Sequence, residues 1–161
     1  MAEEYGLTCI SDLILIAGEL TFGAEQEFFT LEGSMKYGPF IEAYGLEFQE
    51  ARPVDMGLKY AAIENGSFDV SVVYATDGLN RKAGLTILDD DLGFFPDYNG
   101  AFFVRKDVLE QYPKLAHILN CLAGQIPTEQ MAELTYQVDV LGRSVEEVAR
   151  EFLVGLGLLT G

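Results

Sequence analysis

Phe68-Asp69-Val70-Ser71-Val72-Val73-Tyr74-Ala75 is the stretch that decides the fold class. Val70, Val72 and Val73 are β-branched, stiff at χ1 and suited to a pleated strand, so residues 68–75 read as the strongest strand of the chain. Toward the N-terminus, Asp55 is placed to cap a helix running to about residue 64, which Asn65-Gly66 ends. Residues 46–51 alternate Leu46 and Phe48 with Glu47 and Gln49, as a half-buried strand does. Residues 39–44 read as a helix with Gly45 just beyond its end, and residues 20–24 as a short strand. Ser11 is placed to cap a helix through Ile16, with Asp12 in its first turn. Toward the C-terminus, residues 85–88 and 100–104 read as further strands. The pattern then turns helical. Pro113 suits a first helical position, and Leu115, Ile118, Leu119 and Leu122 recur at helical spacing until Gly124. Thr128 is placed to cap a second helix, and Ser144 with Glu147 forms a capping box ahead of the stripe Val145, Val148, Ala149, Phe152 and Leu153. Alternation of strands and helices to about Lys106, followed by three helices, predicts an α/β fold: a mixed sheet of about five short strands flanked by helices, then a helical section.

Composition narrows the function classes. With 10 Lys+Arg against 26 Asp+Glu in 161 residues, the net charge is −16, which repels phosphate backbones and argues against nucleic acid as a partner. Hydrophobic residues make up 49% of the chain, enough for a sizeable core. No stretch approaches the roughly 20 uncharged apolar residues of a membrane span. The start, Met1-Ala2-Glu3-Glu4-Tyr5, has neither the basic nor the apolar region of a signal peptide. Cys9 and Cys121 are far apart and outside any metal or redox spacing, so they read as separate thiols rather than a disulfide.

Catalytic chemistry finds no support. His117, the single histidine, sits beside an apolar helical stripe and reads as a surface or core-edge residue rather than a general base. Asp89-Asp90-Asp91 lacks the spaced ligands and mid-loop glycine of a calcium loop, and reads as a solvated turn. No nucleophile or base stands out, and neither a cofactor nor a metal is implied. Tyrosines carry more information. Tyr74 falls near the C-terminal end of the strongest strand, ahead of Thr76-Asp77-Gly78, and Tyr98 follows Phe94-Phe95-Pro96-Asp97. Ligands of open α/β sheets bind beyond the carboxyl ends of strands, and a tyrosine face there attracts a quaternary ammonium group. On spacing alone, two half-buried core tyrosines with wet hydroxyls are the plainer reading.

The series Ile10-Ser11-Asp12-Leu13, Leu20-Thr21-Phe22-Gly23-Ala24-Glu25, Glu27-Phe28-Phe29, Asp55-Met56-Gly57-Leu58-Lys59-Tyr60, Tyr74-Ala75-Thr76-Asp77-Gly78, Leu88-Asp89-Asp90, Phe94-Phe95-Pro96-Asp97-Tyr98, Val104-Arg105-Lys106-Asp107, Leu122-Ala123-Gly124-Gln125-Ile126 and Tyr136-Gln137-Val138-Asp139 runs unbroken from about Tyr5 to Leu159. It resembles the substrate-binding proteins of ABC transporters for glycine betaine, choline, carnitine and related quaternary amines. The resemblance implies a lobe of periplasmic-binding-protein type II, with residues 5–106 matching lobe two and residues 107–161 the helical section that completes lobe one. It also implies an extracytoplasmic setting, a permease as partner and a small quaternary amine held in an aromatic cage. Its ligand positions fall here on Tyr74, Tyr98, Thr30 and Leu31.

The sequence departs from that family in two ways. It begins where lobe two is already under way, without the N-terminal part of lobe one, so the helical stripes of residues 107–161 would pair with a second copy, as a homodimer or domain swap, or fold back on the same sheet. Leu31 stands where the family commonly has an arginine that grips the ligand's carboxylate, which favours a ligand without one, such as choline. The alternative is a ligand-silent or self-associating fragment of the same fold, in which Gly23 and Gly78 serve turns and Phe94-Phe95-Pro96 serves packing.

Overall fold

Thr21-Phe22-Gly23-Ala24-Glu25 forms β1 (Thr21–Glu25), the centre of a sheet whose other strands are β2 (Glu50–Val54) and β3 (Val70–Ser71), in the order β2-β1-β3 and all parallel. Thr21 to Glu25 pairs in register with Glu50 to Val54, while Phe22 and Gly23 pair with Val70 and Ser71. Phe22, Gly23 and Ala24 are buried, as the middle strand of a covered parallel sheet requires. Pro53 lies in β2, and an edge strand is where a residue without an N–H is tolerated. The computed structural model describes residues 1–160 and divides into two units. One comprises Met1–Tyr74 with Leu79–Pro96; the other comprises Ala75–Gly78 with the chain from Asp97 onward.

Around its sheet the first unit carries α1 (Ala2–Tyr5), α2 (Tyr37–Tyr44), α3 (Lys59–Glu64) and α4 (Leu79–Lys82). Gly45 ends α2 at φ 63°, the left-handed conformation expected of a glycine there. Asp55 caps the 3-10 turn Met56–Leu58 that leads into α3, its carboxylate accepting from the Gly57 N–H at 2.8 Å. The core is aromatic. Phe22 stacks at 5.0 Å from Phe48 and 5.9 Å from Phe40, and Phe40 in turn meets Phe94 at 5.6 Å. Tilted and edge-on pairs of this kind add about 0.5–1.5 kcal/mol each beyond area burial.

The second unit is helical: α5 (Lys106–Gln111), α6 (Leu115–Asn120), α7 (Thr128–Asp139) and α8 (Val145–Gly155). Ser144 and Glu147 make the expected capping box at the start of α8. Arg143 joins α7 to α8, donating to Gln137 Oε1 and Glu151 Oε1 at 2.6 Å each. Val148 is buried and Phe152 and Leu153 half-buried, whereas Val145 and Ile118 lie exposed, so the apolar stripes are narrower than their spacing suggests.

The α/β class holds, with an open sheet of three parallel strands rather than about five mixed ones. The strand after Gly45 starts four residues later than the alternation implies, and Leu46 and Phe48 are buried in the segment leading to it. Residues 85–88 and 100–104 form no strand; near the first, Cys9 and Asp89 make a single parallel bridge. A short apolar run becomes a strand only where another edge offers its N–H and C=O groups, and that is a property of the fold. Ser11 does not cap the first turn: Cys9 precedes the 3-10 turn Ile10–Leu15, and Asp12 closes it from within. Pro127, not Thr128, is the cap of α7. Gly23 lies within β1 rather than in a turn, whereas Gly78 does sit in a turn, just ahead of α4. A Cβ on Gly23 would lie 2.4 Å from the Phe68 ring, and one on Gly78 would lie 2.3 Å from the Tyr136 backbone nitrogen, so both mark close approaches.

Candidate ligand-binding site

Parallel strands place their carboxyl ends along one edge, which is where an open α/β sheet presents its loops to a ligand. Glu25 ends β1, and the 3-10 turn Gln26–Phe29 then leads to Thr30 and Leu31. Ser71 ends the adjacent β3, three residues ahead of Tyr74. Thr30, Leu31 and Tyr74 therefore all follow the carboxyl ends of neighbouring strands in the first unit. Tyr74 is 62% exposed and Leu31 99% exposed. The Thr30 hydroxyl is exposed but turned to its own chain, donating to the Glu27 carbonyl at 2.8 Å. Tyr98 belongs to the second unit, 68% exposed, in a segment with neither helix nor strand. Neither ring is a core residue.

A buried ion pair braces this edge. Lys59, in the first turn of α3, donates to Glu25 Oε1 at 2.6 Å and to the Val72 carbonyl at 3.1 Å, tying the end of β1 to the segment beyond β3. Its ammonium also lies 5.6 Å from the Tyr60 ring centroid. In the second unit, the Thr135 hydroxyl donates to the Thr76 carbonyl at 2.7 Å, and Gly78 lies against the Tyr136 backbone. This close packing onto α7 accounts for a glycine at the end of the Thr76-Asp77-Gly78 run.

Of the three consecutive aspartates, Asp90 is not a solvated turn residue. Its carboxylate accepts from the Tyr44 hydroxyl and from the Phe94 and Phe95 N–H groups at 2.9 and 2.7 Å. Partial desolvation pulls its pKa up, but these hydrogen bonds outweigh it and hold the group below the usual carboxylate range. The same burial and the facing carboxylate push the Tyr44 hydroxyl well above the ordinary tyrosine range. Asp90 thereby seats Phe94 and Phe95 on Phe40. Asp91 accepts from the Ser11 N–H at 3.2 Å. Among the described residues no group of His, Cys, Asp and Glu is arranged to hold a metal ion, and His117 is exposed. Cys9 and Cys121 are free and half-buried.

Residues 1–154 match the OpuAC family, the substrate binding domain of ABC-type glycine betaine transport systems. The chain belongs to this family. Among OpuAC relatives, the ergothioneine transport permease/ergothioneine binding protein EgtU of Helicobacter pylori (strain G27) is 36% identical over 98% of this chain and 28% of its own length. The carnitine transport binding protein OpuCC of Listeria monocytogenes serotype 1/2a (strain 10403S) is 36% identical over 94% of this chain and 49% of its own. A crystal structure of a glycine betaine/carnitine/choline ABC transporter superposes with a TM-score of 0.83 at 33% identity, covering 98% of this chain and 56% of that one. The chain thus spans between 28% and 56% of the length of these OpuAC relatives. Its fold is that of the type II periplasmic binding proteins, and the relatives are solute-binding proteins of transporters rather than enzymes.

Within this OpuAC domain, sequence reasoning passed over Lys59 and Asn80, the buried polar side chains of the described residues. Asn80 sits in the polar run Leu79-Asn80-Arg81-Lys82 that forms α4, and Lys59 is the first residue of α3. Their only sequence signal is that Lys59 falls within the motif of residues 55–60 and Asn80 just after that of residues 74–78.

Proposed function

We propose that the chain is a solute-recognition module of an ABC importer, taking a small trimethylammonium solute on the ring of Tyr74 and passing it to a permease outside the cytoplasm, with no chemical step; Tyr98 is a further ligand position by family resemblance. Carnitine, glycine betaine and ergothioneine, the ligands in the relatives' names, have a trimethylammonium group in common. Such a group has no N–H to donate, so an aromatic face is its natural partner. The observation that carries the reading is the large solvent-facing ring of Tyr74 just beyond β3, at the edge where this fold presents loops to ligands. A desolvated cation–π contact contributes about 2 kcal/mol, well short of the roughly 8 kcal/mol of micromolar affinity. Leu31 offers no charge to a carboxylate, so choline is the expected preference over glycine betaine.

Thermal melting with choline, carnitine, glycine betaine and ergothioneine tests the proposal. Ligand at a hundred times its dissociation constant adds about 2.7 kcal/mol, a rise of about 5–10 °C for a chain of this size. Glycine betaine is itself an osmolyte, so the shift must vanish in Tyr74→Ala and Tyr98→Ala to count as site binding. A Leu31→Arg variant should improve glycine betaine roughly tenfold relative to choline, as one charge-assisted pair allows. Identical melting of all variants with and without each solute would leave the ligand-silent scaffold as the reading.

A further inference from the structure

Lys59 and Asn80 are each only 5% exposed, and each donates to a backbone carbonyl of the segment 72–74. Lys59 Nζ donates to the Val72 carbonyl at 3.1 Å, and Asn80 Nδ2 donates to the Tyr74 carbonyl at 2.8 Å. On its other side, Asn80 Oδ1 accepts from the Tyr60 hydroxyl at 3.0 Å. A backbone carbonyl can only accept, so the contact with Tyr74 fixes which way the Asn80 amide faces and leaves its oxygen for Tyr60. β3 pairs with β1 only through Val70 and Ser71. Beyond Ser71, side chains from α3 and α4 take over the role of a neighbouring strand in holding the chain.

We propose that Asn80, itself oriented by Tyr60, is a positioning residue for ligand recognition: it pins the Tyr74 carbonyl and thereby sets where the Tyr74 ring meets a quaternary ammonium group. This rests on the reading of Tyr74 as a ligand-facing ring. Asn80 touches no ligand; it acts through the backbone of Tyr74. Cation–π attraction requires the cation over the ring face within about 6 Å, and a supporting residue left loose by an ångström forfeits much of it.

The experiment compares the 161-residue chain with Asn80→Ala and Tyr60→Phe. Each protein is measured for affinity to choline and to its uncharged isostere 3,3-dimethylbutan-1-ol, beside its melting temperature. A general loss of stability lowers the amount of active protein but leaves the ratio of the two affinities unchanged; a displaced ring lowers the ratio. The expected result is about tenfold weaker choline binding in Asn80→Ala, about threefold in Tyr60→Phe, and a fall of the choline-to-isostere ratio in both. If Asn80→Ala does not fold, Tyr60→Phe, which removes one oxygen atom, decides alone. Unchanged affinity and ratio in folded variants overturn the positioning role while the binding function stands. If the unsubstituted chain fails to prefer choline over the isostere, the reading of Tyr74 fails and this inference fails with it.

Discussion

At the scale of single residues, the ammonium of Lys59 is the most consequential charge in the first unit, because it is buried and one carboxylate answers it. Removing one partner of such a pair leaves the other uncompensated, so Lys59→Met should cost about 3–5 kcal/mol, read by chemical denaturation. Glu25→Gln with Lys59→Met together should recover part of that loss, which distinguishes stranded charge from lost packing. Asp12 makes a pH-dependent contribution. Its carboxylate accepts from the Thr8 and Cys9 N–H groups at 2.8 and 3.0 Å, which lowers its pKa from 3.8 to about 2. A carboxyl whose pKa is lower in the folded state adds stability above its unfolded value and loses it as pH falls through the folded one. Stability should therefore decline between about pH 4 and pH 2 through this group, and Asp12→Asn should flatten that part of the profile. Asp12 was legible as a first-turn acid because local spacing suffices; Lys59 and Asn80 were not, because burial of a polar side chain depends on what packs over it.

At the scale of elements, helices were read more truly than strands. α2 with Gly45 and α8 with Ser144 and Glu147 fall where capping chemistry puts them, since each helix satisfies its own backbone within a few residues. Ser144→Ala removes the oxygen that accepts from the Glu147 N–H at 3.2 Å, and should destabilise the chain by about 1 kcal/mol, visible as a lower melting temperature. Strands have no such autonomy. The valine-rich residues 68–75 contribute only Val70 and Ser71 to the sheet: pairing with β1 stops at Gly23, two residues before that strand ends, and beyond it the Lys59 and Asn80 side chains donate to the Val72 and Tyr74 carbonyls. Gly78 belongs to this scale too. Its contact is with helix backbone, which cannot turn aside as a side chain can, so Gly78→Ala should cost about 1–3 kcal/mol by the same assay.

At the scale of the whole molecule, the second unit exposes Phe102, Phe103 and Ile118, and the first exposes Ile14, Leu15 and Leu31. Apolar surface of this kind favours association, so light scattering at high concentration should show a dimer or larger species, reversed by Phe103→Ser if that ring takes part. A monomer at every concentration would refute it. No described helix is long and apolar enough to cross a membrane. The sequence by itself determined the α/β class, the capped helices, the family and the tyrosines on which binding is proposed, because these rest on local chemistry and on a motif series that runs in chain order. Only the tertiary structure decided how few residues of each apolar run enter the sheet, that Asp90 is an anchor, and that Lys59 and Asn80 converge on the segment bearing Tyr74. Those outcomes turn on which backbone groups find partners far away in the chain, and no local pattern of residue types records that.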